Sequence, residues 1–482
     1  MKPHDHHTGI TLHLQRWLFK KQRINILLLI IFLLAGLYGL YQGAAFKYKQ
    51  LRTIESFRNE KLQALRTLQS GFDTDTTKPE GLAAYKKATG IISSNWNIVL
   101  PLYKPPVSTA IFNIGQADIF PYYYTIKNES FFMQLFKQGE IANPLRSLAG
   151  HFDTSFWIIY LLPLLIVVLC FNTLPAESDN GNWKLINSQG ISARQWVLSK
   201  CLFTGLITGA MVVFLFFIGL ALNYWCFKQA PTLNDLLFLL MAGIYLVFWL
   251  SVVYGINAYA KNTSSAALLG GISWISICFI VPTLVTTVAE KAIPVDNTLI
   301  SRMSRRPQGS RFDDTAFAKQ TIARLGELRP QYRNTTLQPQ SPGFGFATYM
   351  SYHELMDDSN KNAVQDYFAG IERRQQVTNT SVLLNPAAGV DGMFAHLAAN
   401  DAQSNHHFIW QAKTLHQALH DVYFPPLFFE RQLTRRDYEK LPLFIYRPVG
   451  VTATGIITSL ELLLSAAFIF LISNRKIKKK WS

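Results

Sequence analysis

His416 and His420 stand four residues apart on a stretch patterned as a helix, so both imidazoles could face one metal ion. His406, His407 and Asp421 lie close by in sequence, and His353-Glu354 forms half of a zinc-protease motif whose second histidine is missing. No complete ligand set emerges. The simpler reading is surface histidines of a helical domain, and no metal is expected; His4, His6 and His7 are weaker candidates still. Glu461 is the one acidic residue well inside an apolar run, and an ionisable group at such depth is costly enough to mark a functional candidate. A carboxyl that is protonated or bonded to a neighbouring helix explains it more simply. The phosphate-binding pattern G-x-x-x-x-G-K-S/T occurs nowhere, and no Gly-rich strand-to-helix turn replaces it. Any ATP energy must then come from another polypeptide.

The elements that hold these residues are blocks of apolar sequence. The chain has 482 residues, 49% of them hydrophobic and 13% aromatic, and the apolar ones condense into runs. A membrane-spanning helix needs about 20 mostly apolar residues. Six stretches qualify: 24–43, 155–174, 201–227, 235–259, 264–288 and 451–473. The first has no small-residue cleavage site and continues into a charged segment, so it is read as a retained span. Lys20, Lys21 and Arg23 precede it, and Arg475, Lys476, Lys478, Lys479 and Lys480 follow the last span. Both ends are therefore expected in the cytoplasm, as an even number of spans requires. That order places 44–154 and 289–450 outside, with 175–200 and the short 260–263 turn inside. The net charge of +16 gathers at the cytoplasmic membrane edge, which points to anionic lipid and not to nucleic acid. Cys170, Cys201, Cys226 and Cys278 all lie in or beside apolar runs, so no disulfide framework is expected.

Within the N-terminal 1–23, Ile10, Leu14, Trp17 and Leu18 recur at helical spacing among basic residues, which fits either a helix in the headgroup layer or an extension of the first span. Residues 46–69 read as a long amphipathic helix ending near Gly71, 78–89 as a shorter helix, and 91–124 as loops and short strands. Region 289–450 opens on a basic loop (Arg302, Arg305, Arg306, Arg311) and carries helical patterns at 315–328, 361–377 and 406–423. Asn385-Pro386 marks a break, and Pro425-Pro426 ends the last of these helices. At roughly 160 residues this region is large enough for its own core. Pro163 and Pro282 can kink the second and fifth spans, and Gly270-Gly271 permits close helix approach.

Between spans two and three the chain reads PAESDNGNWKLINSQGISARQWVLSK from Pro175 to Lys200. Gly181 and Gly190 bracket one short helical turn, Trp183 to Ser188. Glu177, Gly181, Leu185, Ile186, Ser188-Gln189, Ser192 and Lys200 resemble the loop of ABC-2 type export permeases. In that family this loop carries the coupling helix that fits a cleft in the ATPase. Asn182 stands where the family usually has Thr, and Trp183 is unusual. The stretches IFNIGQADIFPYYY (111–124), NPLRSLAGHFDTSFWIIYLLPLL (143–165) and LNPAAGVDGMFAHLAAND (384–401) are similar to an ABC-2 subgroup with large outer insertions of poorly characterised function. That subgroup is distantly like the permease of nitrous oxide reductase copper maturation, whose substrate is not carried over.

The expected protein is thus mainly α, polytopic, with six transmembrane helices and two mostly helical outer insertions. The resemblance implies an exporter permease in a bacterial inner membrane, with both termini cytoplasmic. It would be paired with a second permease, identical or a close relative, and with ATPase subunits that hold ATP and Mg. Glu177, Gly181, Trp183, Leu185, Ile186, Gln189 and Lys200 would form the coupling surface, and the chain would perform no covalent chemistry of its own. Two other readings stand beside it. One is a non-transporting ABC-type scaffold that passes ATP-driven motion to periplasmic partners. The other is a membrane-anchored enzyme with its active site in 289–450, which would need a clustered nucleophile–base or metal set.

Overall fold

The computed structural model describes residues 4–97, 99–117, 120–138, 152–299, 312, 314–380, 383–450 and 453–481. The basic loop at 302–311 and most of the 143–153 stretch lie outside them. The protein is mainly α-helical, and the described residues contain one two-stranded antiparallel ribbon, Leu100–Tyr103 against Tyr123–Ile126. Six helices are long and apolar enough to cross a membrane, and they begin at Arg23, Thr154, Ala193, Leu233, Thr263 and Gly455. They are called spans 1 to 6 below. Spans 2 and 4 have 67% and 56% of their apolar windows buried, against 11% for span 5. The second and fourth therefore form the centre of the bundle, where Trp157, Leu165, Tyr245 and Trp249 are fully buried. Leu206, Phe217, Leu268, Ile272 and Phe468 point outward, an apolar exterior suited to lipid.

Span 1 departs from expectation. The apolar run and the amphipathic pattern after it form one unbroken helix, Arg23–Ser70, of 48 residues. Its end near Gly71 falls where the sequence places it. The preceding helix, His4–Lys21, is not a continuation, because Gln22 interrupts it with φ −90° and ψ 90°. Beyond the bundle, Lys47 is fully buried and donates to Val107 O (3.0 Å), Ser108 O (3.3 Å), Asn223 Oδ1 (2.7 Å) and Gln229 Oε1 (2.5 Å). One ammonium thus pins span 1 to span 3 and to the 3-10 turn Ser108–Ile111.

Spans 2 and 5 each contain a π-helical turn, Trp157–Leu161 and Ser276–Ile280, just before Pro163 and Pro282. A helical proline has no N–H for the carbonyl four residues back and crowds it. Here the carbonyl of Ile159, four before Pro163, is taken up by the Tyr245 hydroxyl (3.1 Å) and the Cys278 thiol (3.6 Å). Trp274 Nε1 donates to the next one, Tyr160 O, at 2.9 Å. Both expected kinks coincide with widened turns, and that of span 2 is held by donors from spans 4 and 5. Gly270 lets span 5 approach span 2, since an added Cβ would meet Val167 at 2.8 Å, whereas at Gly271 it would meet nothing.

The two insertions share a core. Leu102, Ile126, Phe131 and Phe132 of the first pack with Val364, Phe408, Leu415 and Leu419 of the second. Asp357 fastens them with charge: it accepts from Ser130 Oγ (2.6 Å), the Phe131 amide (2.9 Å) and Lys413 Nζ (2.5 Å). In the second insertion the expected 361–377 helix is longer, Phe344–Thr380. Pro425 and Pro426 do not end the last helix, which runs Ala402–Phe428. Burial of Phe424, Leu427 and Phe428 in the insertion core holds that extra turn together.

Candidate functional site

Span 2 gives way to a short helix, Pro175–Asp179, and a second one follows, Trp183–Ser188. The breaks on either side of the second are glycines in the left-handed region, Gly181 at φ +72° and Gly190 at φ +78°. Both positions are open to solvent, so backbone conformation and not crowding calls for glycine there. Span 3 then starts on a capping box, with Ser192 and Gln195 satisfying one another's backbone amides.

The short helix has two faces. Trp183 and Ile186 turn inward onto a cluster of Leu174, Ile191, Trp196, Val197, Tyr254 and Ile477, joined by Leu14 and Leu18. That cluster draws on spans 3, 4 and 6 and on the N-terminal helix at once. Leu185 points the other way and is 64% exposed, with Lys184, Asn187 and Gln189 exposed around it. The expected Leu185–Ile186 pair is therefore divided, one residue facing away and one anchoring. Glu177 reaches across the Gly181 turn to accept from Asn182 Nδ2 at 3.4 Å. Lys200 sits apart on span 3, with its ammonium 5.7 Å from the Phe19 ring. Glu461 belongs to another place: it is half-buried on span 6, and its Oε2 is buried without a hydrogen-bond partner among the described residues. Along that helix it stands about 24 Å from Ile477 at the loop cluster, at 1.5 Å per residue.

Residues the sequence reading passed over fix the loop in place. Asn257, fully buried on span 4, accepts from the Leu174 amide (3.0 Å) and donates to Cys170 O (2.8 Å) and Val253 O (3.0 Å). It clamps the end of span 2 to span 4. Trp196 Nε1 donates to Thr173 O at 3.2 Å, and the Thr263 amide donates to Asp179 Oδ2 at 2.7 Å, joining the loop to the 260–263 turn. An asparagine inside an apolar run was the available signal. Chemically this site offers no clustered acid, base or nucleophile. Mechanically, displacement of Trp183 and Ile186 would press on every element of the cluster.

The histidines of the second insertion require a correction. His416 and His420 are fully buried and His353 is 2% exposed, so they are not surface residues. One of them, His420, is buried in a charge network. His420 Nδ1 lies 2.6 Å from Glu354 Oε2, and Arg329 donates to Glu354 Oε1 through Nε (3.0 Å) and Nη2 (2.8 Å). Arg329 also reaches Asp421 at 2.8 Å. Burial alone would raise the Glu354 carboxyl, but His420 and Arg329 outweigh it and hold it well below the usual range. His416, beside Phe131 and His420, is pushed well below an ordinary imidazole, first by burial and then by the charges of His420 and Lys413. His406 pairs instead with Glu372 at 2.8 Å, and His407 is exposed. Among the described residues no group of three or more His, Cys, Asp or Glu side chains is arranged to hold a metal ion.

One protein-family profile matches the chain, over residues 302–447, and is described as a domain of unknown function (DUF3526). The match covers less than half of the chain and takes in the whole Arg329–Glu354–His420 network. No curated protein and no solved structure matches.

Proposed function

We propose that this protein is the transmembrane permease subunit of an ABC-2 type exporter, driven by a separate ATPase. The observation that carries this reading is the two-faced helix Trp183–Ser188: Leu185 faces outward, while Trp183 and Ile186 are seated in a cluster shared by three spans and the N-terminal helix. A rigid element of this kind, in a chain with no phosphate loop, suits force supplied from another polypeptide. The lysines and arginines at the ends of spans 1 and 6 support an orientation with the loop and both termini in the cytoplasm and the insertions outside a bacterial inner membrane. Two permeases, identical or closely related, would join two ATPase subunits that bind ATP and Mg. Closure of the ATPases would push the short helix and tilt the spans, changing access at the insertion face. A second reading, a scaffold that passes motion outward without transport, draws on the unbroken helix from span 1 into the insertions.

Purification of the full chain from its native membrane, with identification of what accompanies it, tests the proposal. An ABC ATPase is expected in the complex, with hydrolysis coupled to flux in liposomes. Hydrolysis without flux for any substrate offered would favour the scaffold. If no ATPase accompanies the chain, and the double variant Leu185→Asp/Ile186→Asp keeps full activity, the permease reading fails.

A further inference from the structure

Between the insertions and the ends of spans 2 and 5 lies a cavity of about 580 Å³. It falls within the size range of small-molecule sites, about 300–1,000 Å³. One wall is aromatic and built from the two π-helical turns. Phe156 and Tyr160 lie 4.8 Å apart between ring centroids, tilted by 39°, and Tyr160 meets Phe279 at 5.3 Å, tilted by 30°, which makes a chain of three neighbouring rings. Trp274 fixes the backbone of that wall through its bond to Tyr160 O. The opposite wall carries Asp391, on the helix Pro386–Leu397. Its carboxylate opens into the cavity while protein encloses it, and it forms no hydrogen bond or ion pair with any described residue.

The other charged groups of the lining are Asp153, Glu290 and Arg374. Asp153 is occupied by the amides of Ile114 and Phe156, both at 2.7 Å, and Arg374 Nε donates to Ile293 O at 2.7 Å. Three carboxylates thus face one guanidinium, and two of them, Asp391 and Glu290, have no protein partner among the described residues. A carboxylate opposite ring faces is complementary to a cation with an apolar body, since the faces of aromatic rings attract positive charge.

We propose that this cavity binds a lipophilic organic cation, a protonated amine or quaternary onium, with its charge at Asp391 and its apolar body against Phe156, Tyr160 and Phe279. Enclosure by protein, then the charge of Asp153, raises the Asp391 carboxyl to about 7. The site names a ligand class for the permease reading but needs no ATPase to be occupied, so its failure is separable from failure of the coupling proposal.

The test is equilibrium binding of radiolabelled tetraphenylphosphonium to the purified full chain in lipid nanodiscs, with tetraphenylborate as the anion of the same shape. Saturable binding of the phosphonium is expected, with none of the borate. Asp391→Asn should weaken it about tenfold and Phe279→Ala about fivefold, the latter as expected for loss of a ring face. Glu439→Gln, remote from the cavity, should leave it unchanged. Affinity should also fall about tenfold from pH 8 to pH 6 as Asp391 takes up its proton. Thermal melting of each variant separates loss of binding from loss of fold. Equal affinity for both ions, absence of saturable phosphonium binding to the folded chain, or unchanged affinity in folded Asp391→Asn would each overturn the proposal.

Discussion

Leu185 and Ile186 are neighbours in sequence, yet the fold gives them opposite tasks, and this yields a sharp prediction. Leu185 is 64% exposed in the isolated chain, so about two-thirds of its apolar surface is available to a partner. Complete burial of a leucine is worth about 1.5–3 kcal/mol, which leaves about 1–2 kcal/mol for docking. Leu185→Ala should then weaken association with the proposed ATPase partner about 5- to 30-fold. Leu185→Asp should do more, because it places a carboxylate in the contact. Either change removes little packing within the permease, so its stability should change by no more than about 0.5 kcal/mol, read as a nearly unchanged melting temperature. Ile186→Asp is the contrast: it drives a charge into the cluster around Trp196 and Tyr254, and folded protein should be lost along with binding. The assay is titration of the detergent-solubilised permease with the purified ATPase, alongside thermal melting. A folded Leu185→Asp variant that binds the ATPase with wild-type affinity would refute the assignment of the outward face.

Asn257→Leu leaves the Leu174 amide without its acceptor and should cost about 1–3 kcal/mol, read as a lower melting temperature of the full chain in detergent. Gly43→Ala would press a methyl group into the Ile111 carbonyl oxygen and should destabilise by about 1–3 kcal/mol. Gly243→Ala meets nothing and should be neutral, or stabilising by up to about 1 kcal/mol, in the same melts. His416 stays neutral in the fold below its ordinary pKa of 6.5 while the unfolded chain takes up a proton there. Its contribution to stability is therefore intact above pH 6.5 and declines as pH falls, by at most about 1.4 kcal/mol per pH unit. His416→Phe should flatten the loss of melting temperature between pH 7 and pH 5; an unchanged slope would count against this account.

How much of this was legible beforehand differs by element. The spans were readable because lipid demands long apolar runs, and the 315–328 helix lies where its pattern places it, whereas Asn385-Pro386, read only as a break, turns out to cap a further helix, Pro386–Leu397. The joining of 24–43 to 46–69 was not, since the hydrophobic pattern changes there from membrane run to amphipathic stripe although no residue breaks the helix. The π-turns were hidden for another reason: prolines are visible, but the donors that stabilise the widened turn, Tyr245, Cys278 and Trp274, come from other spans. His416 and His420 looked superficial because what buries them is far away in sequence, Glu354 beside His420 and Phe131 beside His416. At the loop, the glycine-bracketed helix was evident, but the division between Leu185 and Ile186 and the Asn257 clamp arise from packing.

Under the proposed mechanism the 48-residue helix of span 1 would also serve as a lever arm. At 1.5 Å per residue it is about 72 Å long, with its near end following the N-terminal helix that enters the loop cluster and its far end, through Leu65 and Leu68, inside the core of the insertions. A swing of about 5° at one end displaces the other by about 6 Å, more than the spacing between packed side chains. The insertions cannot stay still while this helix swings: they must ride with it or break their core around Leu68. A stroke of the proposed kind, delivered at one membrane surface, would thereby be geared up in amplitude, and reduced in force, before it reached the other.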